Sequence, residues 1–149
     1  MNLAGRTALV TGAARRLGRA IAEDLAAGGA RIAVHYRHSA AEADTVIAGI
    51  RRRGGTAEGF AADLADPAAA ERLAAAVVER LGPVDILVNN ASIYFRTPID
   101  VLGEAEWDEV MTVNLKTPYL LSLTLGRAMR QRGAGKIVNL VDIVAERPH

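Results

Sequence analysis

The chain has no cysteine, which excludes a disulfide framework and any thiolate metal site. Its three histidines, His35, His38 and His149, are not spaced as metal ligands, so no metal is expected. No apolar run reaches the roughly 20 residues that a membrane-spanning helix needs. The opening residues Met1-Asn2-Leu3-Ala4-Gly5-Arg6 lack the pattern of a signal peptide. Charge of one sign is also missing. The 18 Lys and Arg against 17 Asp and Glu leave a net charge of +1, so no strong field draws the chain to nucleic acid or a membrane surface. A soluble cytoplasmic protein is the expectation. What is plentiful is apolar surface: 50% of the 149 residues are hydrophobic, enough for one domain with a real core.

The stretch Thr11-Gly12-Ala13-Ala14-Arg15-Arg16-Leu17-Gly18 organises the rest. It follows the apolar run Thr7-Ala8-Leu9-Val10 and opens a segment in which Leu17, Ile21 and Leu25 recur at i, i+4 and i+8. Strand, glycine turn and helix are the context in which such a motif signals dinucleotide binding. Gly12 permits a sharp exit from the strand, and Gly18 permits close approach of the helix. The first helical turn offers unpaired N–H groups and a positive dipole end to a pyrophosphate.

Further along, Gly28-Gly29 stops the first helix, and residues 30–36 read as a buried parallel strand. Ser39 and Glu42 form a predicted capping box, opening a helix that turns Ala43, Val46, Ile47 and Ile50 inward and ends at Arg51-Arg52-Arg53-Gly54. Those arginines complement the helix dipole. Thr56 to Ala61 is a weak third strand ending near Asp63. Asp66-Pro67 starts a helix with Leu73, Val77 and Leu81 inside. Residues 84–88 make a fourth strand, followed by Asn89-Asn90-Ala91-Ser92. Glu104 to Arg132 is mostly helical, with a break or kink near Pro118, and residues 136–140 make a fifth strand. Alternating strands and helices predict an α/β fold. The sheet is Rossmann-like, doubly wound and parallel, in the order 3-2-1-4-5, and forms one domain over residues 1–149.

Ligands of such sheets bind outside the carboxyl ends of the strands, where this chain gathers its unusual polar groups. The second strand ends in Tyr36-Arg37-His38-Ser39. An acid there would accept from the ribose hydroxyls of NAD, and there is none. Arg37 and Ser39 suit a 2′-phosphate, with His38 as a further donor, so NADPH/NADP is the expected cofactor. Ser39 serving only as a helix cap is the plainer alternative.

The glycine turn resembles the T-G-x-x-x-G-x-G turn of short-chain dehydrogenases/reductases. Arg16 stands in place of the middle glycine, which is similar to the T-G-x-x-x-R-L-G turn of pteridine reductases and dihydromonapterin reductases. The segment His35 to Ala43 also looks like that branch, with the arginine and second histidine exchanged. The resemblance implies that Gly12, Arg16, Leu17 and Gly18 line the cofactor phosphates. It implies that Tyr36, Arg37, His38 and Ser39 meet the 2′-phosphate region, and that Asp63 and Leu64 meet the adenine. Asn90, Ala91 and Ser92 resemble the family's N-N-A-G, with serine for glycine, and their backbone would lie along the cofactor. Tyr94 falls where the branch stacks an aromatic ring on a pterin, and Phe95 beside it suits the same role. Arg16 would also approach the substrate.

Asn114 matches the helix asparagine that holds a water of the proton relay. Asp142 stands where most of the family has a serine that polarises a carbonyl. A carboxylate there suits a substrate offering ring N–H groups, so Asp142 and Asn114 are the candidate catalytic residues. The resemblance implies an NADPH-dependent reductase of a pterin such as dihydrobiopterin, dihydromonapterin or dihydrofolate, acting as a dimer or tetramer when complete. A non-catalytic NADP-binding module and a carbonyl reductase of the 3-oxoacyl type are the alternatives.

The family's Y-x-x-x-K helix is missing from these 149 residues. Tyr36, Tyr94 and Tyr119 are followed four positions on by Ala40, Pro98 and Leu123. The chain therefore reads as truncated after strand five and is expected to be inactive alone. Strand five, with Ile137, Val138 and Leu140, becomes a sheet edge, and the helix face carrying Leu121 and Leu125 is expected to lose apolar cover if it is the face that meets the missing helix.

Overall fold

The computed structural model describes residues 2–94, 96, 98 and 103–141. Five strands, β1 (Thr7–Val10), β2 (Arg31–Tyr36), β3 (Thr56–Ala61), β4 (Ile86–Asn89) and β5 (Lys136–Asn139), form one sheet in the order β3-β2-β1-β4-β5. Every pairing is parallel, with Val10 beside Val34 on one flank and Val88 on the other. This is the expected Rossmann-like, doubly wound architecture. β1 is buried along its whole length, as a central parallel strand with both faces covered must be.

Successive strand residues point to opposite faces, and the core divides accordingly. Ala8, Val10, Ile32 and Val34 pack with Ala22, Ala43, Val46 and Ile50, which come from α1 (Arg16–Ala27) and α2 (Ala40–Arg52). Leu9, Ala33 and Leu87 pack with Leu73, Val77, Leu121 and Leu125 from α3 (Pro67–Leu81) and α5 (Thr117–Gln131). α3 begins as its sequence dictates, with Asp66 accepting from the Ala68 N–H at 2.9 Å and proline in the first turn. Gly29, at φ 96°, takes the chain out of α1 through a conformation that side chains resist.

Leu17, expected at the cofactor, is exposed; Gly18 and Ala22 are the buried residues of α1, with Ile21 and Leu25 partly buried against the core. The long helix is interrupted near Pro118, as expected, just ahead of it. α4 (Glu104–Met111) runs into a π-helical segment, Thr112–Lys116, before α5 begins with the proline in its first turn. Two expectations need correction. Ser39 occupies the N-cap of α2 but its side chain makes no cap hydrogen bond, and Glu42, the other half of the box, pairs with Arg15. Leu121 and Leu125 are buried, because α3 already covers that face. The expected edge at β5 is present: it is the outermost strand of the described sheet, and Ile137, Val138 and Leu140 are exposed.

Candidate functional site

A groove of about 1310 Å³ runs along the carboxyl ends of β1, β2, β4 and β5. Of the residues predicted to form a site, Gly12, Arg16, Leu17, Gly18, Arg37, Asp63, Leu64, Asn90, Ala91, Ser92, Tyr94 and Asn114 line it. Tyr36, His38 and Ser39 do not. Asp142 and Phe95 lie outside the described residues.

The glycine turn is held from beneath. Gly12 has φ 63°, and a Cβ there would sit 3.1 Å from the Ala91 Cα. A Cβ on Gly18 would come within 2.5 Å of the Asn90 amide nitrogen. That nitrogen donates to the carbonyls of Thr11 at 2.8 Å and Gly12 at 3.2 Å. The Thr11 hydroxyl accepts from the N–H groups of Asn90 and Ala91, each at 2.9 Å. Both glycines are thus required by the closeness of β4's end to the turn.

His35, which sequence reading passed over, completes this scaffold. Its Nδ1 accepts from the Gly12 N–H at 3.0 Å, its Nε2 donates to the Ala62 carbonyl at 3.1 Å, and its own carbonyl accepts from the Ala13 N–H at 2.8 Å. Nδ1 can accept only if the ring is neutral with its proton on Nε2. Burial pushes its pKa down to about 4, against smaller upward effects of the Ala62 carbonyl and the Asp63 charge. The only signal in the sequence was a histidine inside an otherwise apolar strand. Because Gly12 and Ala13 give their amides to His35, the N–H groups left for an anion are those of the first turn of α1. That turn contains no acidic residue. Arg16 adopts φ 49° there, a left-handed conformation that costs a non-glycine residue about 1–2 kcal/mol. No carboxylate among the described residues pairs with it.

At the β2 end, Arg37 meets Asp63 at 2.9 Å and Glu109 of α4 at 3.5 Å. Asp63 is itself anchored, accepting from the Ala65 N–H at 3.0 Å. The sequence motif named Arg37 and Asp63, but the contribution of Glu109 depends on how α4 crosses the sheet.

Across the groove, Asn114 in the π segment grips the backbone of Ile93, accepting from its N–H and donating to its carbonyl, both at 2.9 Å. This fixes the loop that carries Ser92 and leaves Tyr94 91% exposed at the rim. Deeper, the buried Asn89 donates to Asn139 at 2.8 Å and to the Ser122 hydroxyl at 3.1 Å, tying β4 to β5 and α5. Its Oδ1 has no partner among the described residues. Asn89 was read only as part of the loop motif, and Ser122 and Asn139 carried no spacing signal. No cluster of metal-ligating side chains occurs among the described residues. No described helix is long and apolar enough to cross a membrane.

The chain was compared with known proteins. A family model described as short chain dehydrogenase matches residues 6–148. Gluconate 5-dehydrogenase of Gluconobacter oxydans is 35% identical over 145 residues, 97% of this chain and 56% of that protein. A short chain dehydrogenase from Burkholderia cenocepacia, solved in complex with NADP, superposes with a TM-score of 0.91 at 37% identity, covering 100% of this chain and 60% of that one. FolM alternative dihydrofolate reductase 1 from Brucella canis, complexed with NADP, gives a TM-score of 0.91 at 35% identity over 99% of this chain and 58% of that one. The chain thus spans a little over half the length of these relatives. A glycine turn braced by β4, a groove at the strand ends and a family match over nearly the whole sequence have one reading: the chain belongs to the short-chain dehydrogenase family.

Proposed function

We propose that these 149 residues form the NADP(H)-binding part of a short-chain oxidoreductase, and that its substrate is a pterin. The observation that carries the cofactor reading is the groove itself. It offers unpaired first-turn amides, Arg16 and Arg37 along one wall, and no acid at Tyr36 to receive a 2′-hydroxyl. The two relatives solved with NADP support it. Gly12, Leu17 and Gly18 with Arg16 would hold the pyrophosphate, Arg37 the 2′-phosphate, and Asp63 and Leu64 the adenine. The backbone of Asn90, Ala91 and Ser92 would flank the ribose and nicotinamide. Tyr36, His38 and Ser39 remain proposed contacts of the 2′-phosphate region from outside the groove lining.

When bound, the nicotinamide supplies or accepts the hydride. The chain's residues do the rest. Asn114 holds the Ser92–Tyr94 loop against the groove and retains one amide hydrogen for a relay water. Arg16 presents a cation beside the phosphates and the substrate, and Tyr94 offers a face to a flat heterocycle. Asp142 is the proposed proton partner of the substrate ring. No tyrosine among the 149 residues is followed by lysine at the fourth position, so the chain alone is proposed to bind without turnover. The exposed Trp107, Leu115 and Tyr119 on α4, the π segment and α5 suit association into a homo-oligomer.

The pterin reading is supported by Arg16 in the glycine turn, by Ser92 and by the likeness to the alternative dihydrofolate reductase. A second reading, reduction of a carbonyl, has the likeness to gluconate 5-dehydrogenase in its favour. Calorimetry separates them. NADP+ is expected to bind more tightly than NAD+, Arg37→Asp to reverse that order, and dihydrobiopterin, but not a 3-oxoacyl thioester, to bind the NADP+-loaded chain. Equal affinity for both cofactors would remove the NADP assignment. Binding of the thioester alone would hand the substrate to the carbonyl reading.

A further inference from the structure

We infer that Glu109 is a specificity-determining residue, competing with the cofactor's 2′-phosphate for Arg37 and so limiting the preference for NADP over NAD. The inference rests on the reading of Arg37 as the 2′-phosphate ligand. The guanidinium is shared by two carboxylates, Asp63 at 2.9 Å on one nitrogen and Glu109 at 3.5 Å on the other. The trio carries one positive and two negative charges, so the place where a dianionic phosphate would settle is net acidic.

The two carboxylates are not equivalent. Asp63 is fixed by the Ala65 N–H and sits at charge-assisted hydrogen-bond distance. Glu109 reaches from α4, is farther away, and its carboxylate has no other partner among the described residues. The side chains of Arg37, Asp63 and Glu109 are 40%, 44% and 40% exposed, so both pairs are solvent-screened and easily exchanged. A guanidinium has five N–H donors in a fixed fork. Arg37 therefore keeps Asp63 on one edge and exchanges Glu109 for phosphate on the other. Once displaced, Glu109 stays close enough to repel the new anion. NAD, which lacks the phosphate, leaves the Arg37–Glu109 pair intact and is not disfavoured by it.

The test is calorimetric titration of the full 149-residue chain with NADP+ and NAD+, as wild type, Glu109→Gln, Arg37→Ala and the double variant. Glu109→Gln is expected to tighten NADP+ about two- to fivefold, the scale of one exposed charge pair, and to leave NAD+ unchanged. The gain should shrink in 0.5 M salt, where charges are screened beyond about 4 Å, and vanish when Arg37 is alanine. Glu109→Lys, also at an exposed position, should give a larger selective gain. If Arg37→Ala weakens NADP+ but Glu109→Gln changes neither cofactor or both equally, the role of Glu109 is overturned and Arg37 keeps its assignment. If Arg37→Ala leaves NADP+ binding unchanged in both backgrounds, the 2′-phosphate reading falls and this inference with it.

Discussion

At the β1 end of the groove, almost every backbone group near the glycine turn has a partner. Thr11, His35 and Asn90 tie the ends of β1, β2 and β4 and the exit of β3 into one lattice of hydrogen bonds. At the β5 end, the strand is exposed throughout, and among the described residues its one side-chain hydrogen bond is that of Asn139 with Asn89. The sheet is continuous between these ends, yet one is closed by residues that four strands bring together from up to 79 positions apart, and the other is an exposed edge. The difference shows where this fold needs precision. Backbone amides must be aimed at the glycine turn, and aiming them requires fixed neighbours. The β5 rim only has to present an edge.

The sharpest way to break the contrast is Gly18→Ala. Its Cβ would press into the Asn90 amide, and overpacking against groups that cannot retreat costs about 3 kcal/mol. The melting temperature should fall by roughly 6–12 °C. A thermal scan showing no change would mean that the turn is looser than its hydrogen bonds imply.

Acid should act on the same end. His35 is neutral in the fold with a pKa of about 4, against about 6.5 in an unfolded chain. Below pH 6.5 the unfolded chain takes up the proton first, so stability falls as pH drops from 6.5 to about 4. The loss is roughly 3 kcal/mol. Glu42, half-exposed, and Asp66, exposed, are held below the ordinary carboxylate range. Glu42 is lowered by its own backbone N–H and by Arg15, and Asp66 by Arg72 and the Ala68 N–H. They act at lower pH. Denaturant titrations at several pH values check this, and a flat stability from pH 6.5 to 4.5 would contradict it.

Arg16→Gly should run the other way, raising stability by about 1 kcal/mol as the left-handed strain is relieved, while NADP+ binds more weakly. Chemical denaturation beside calorimetry reads both effects. At the β5 end, Val138→Lys should change stability by less than about 0.5 kcal/mol. Its effect should appear in association: an open apolar edge templates pairing between chains, so sedimentation should show self-association in the wild type and less in the variant. A monomeric wild type would count against the open edge.

Much of the closed end was legible in the sequence. β1, β3 and the start of α3 lie where apolar runs and the Asp66-Pro67 pair put them, because those signals are local. The strand order followed from the handedness of crossovers, which is general. What could not be read was anything decided between elements. Leu17 shares the spacing of Ile21 and Leu25, which pack on the core, but at the start of α1 it lines the groove instead. Ser39 and Glu42 have a capping box's spacing, yet the serine makes no cap bond and the glutamate pairs with Arg15. Leu121 and Leu125 looked uncovered because no sequence pattern says that α3 and α5 meet. Glu109 could not be named because nothing local ties it to Arg37.

The π segment at Thr112–Lys116 keeps a phase. A helix advances about 100° per residue, and a π turn absorbs one residue more than an α turn without ending the helix. Because the surplus residue is taken up locally, α4 and α5 keep one phase, and what it creates is a bulge that carries Asn114 out to the Ile93 backbone. Deleting a single residue there would close the bulge into a regular helix whose two ends still face as they do. The inserted residue therefore works as a bracket for the Ile93 loop, and its removal would leave a straighter helix with nothing to hang that loop on.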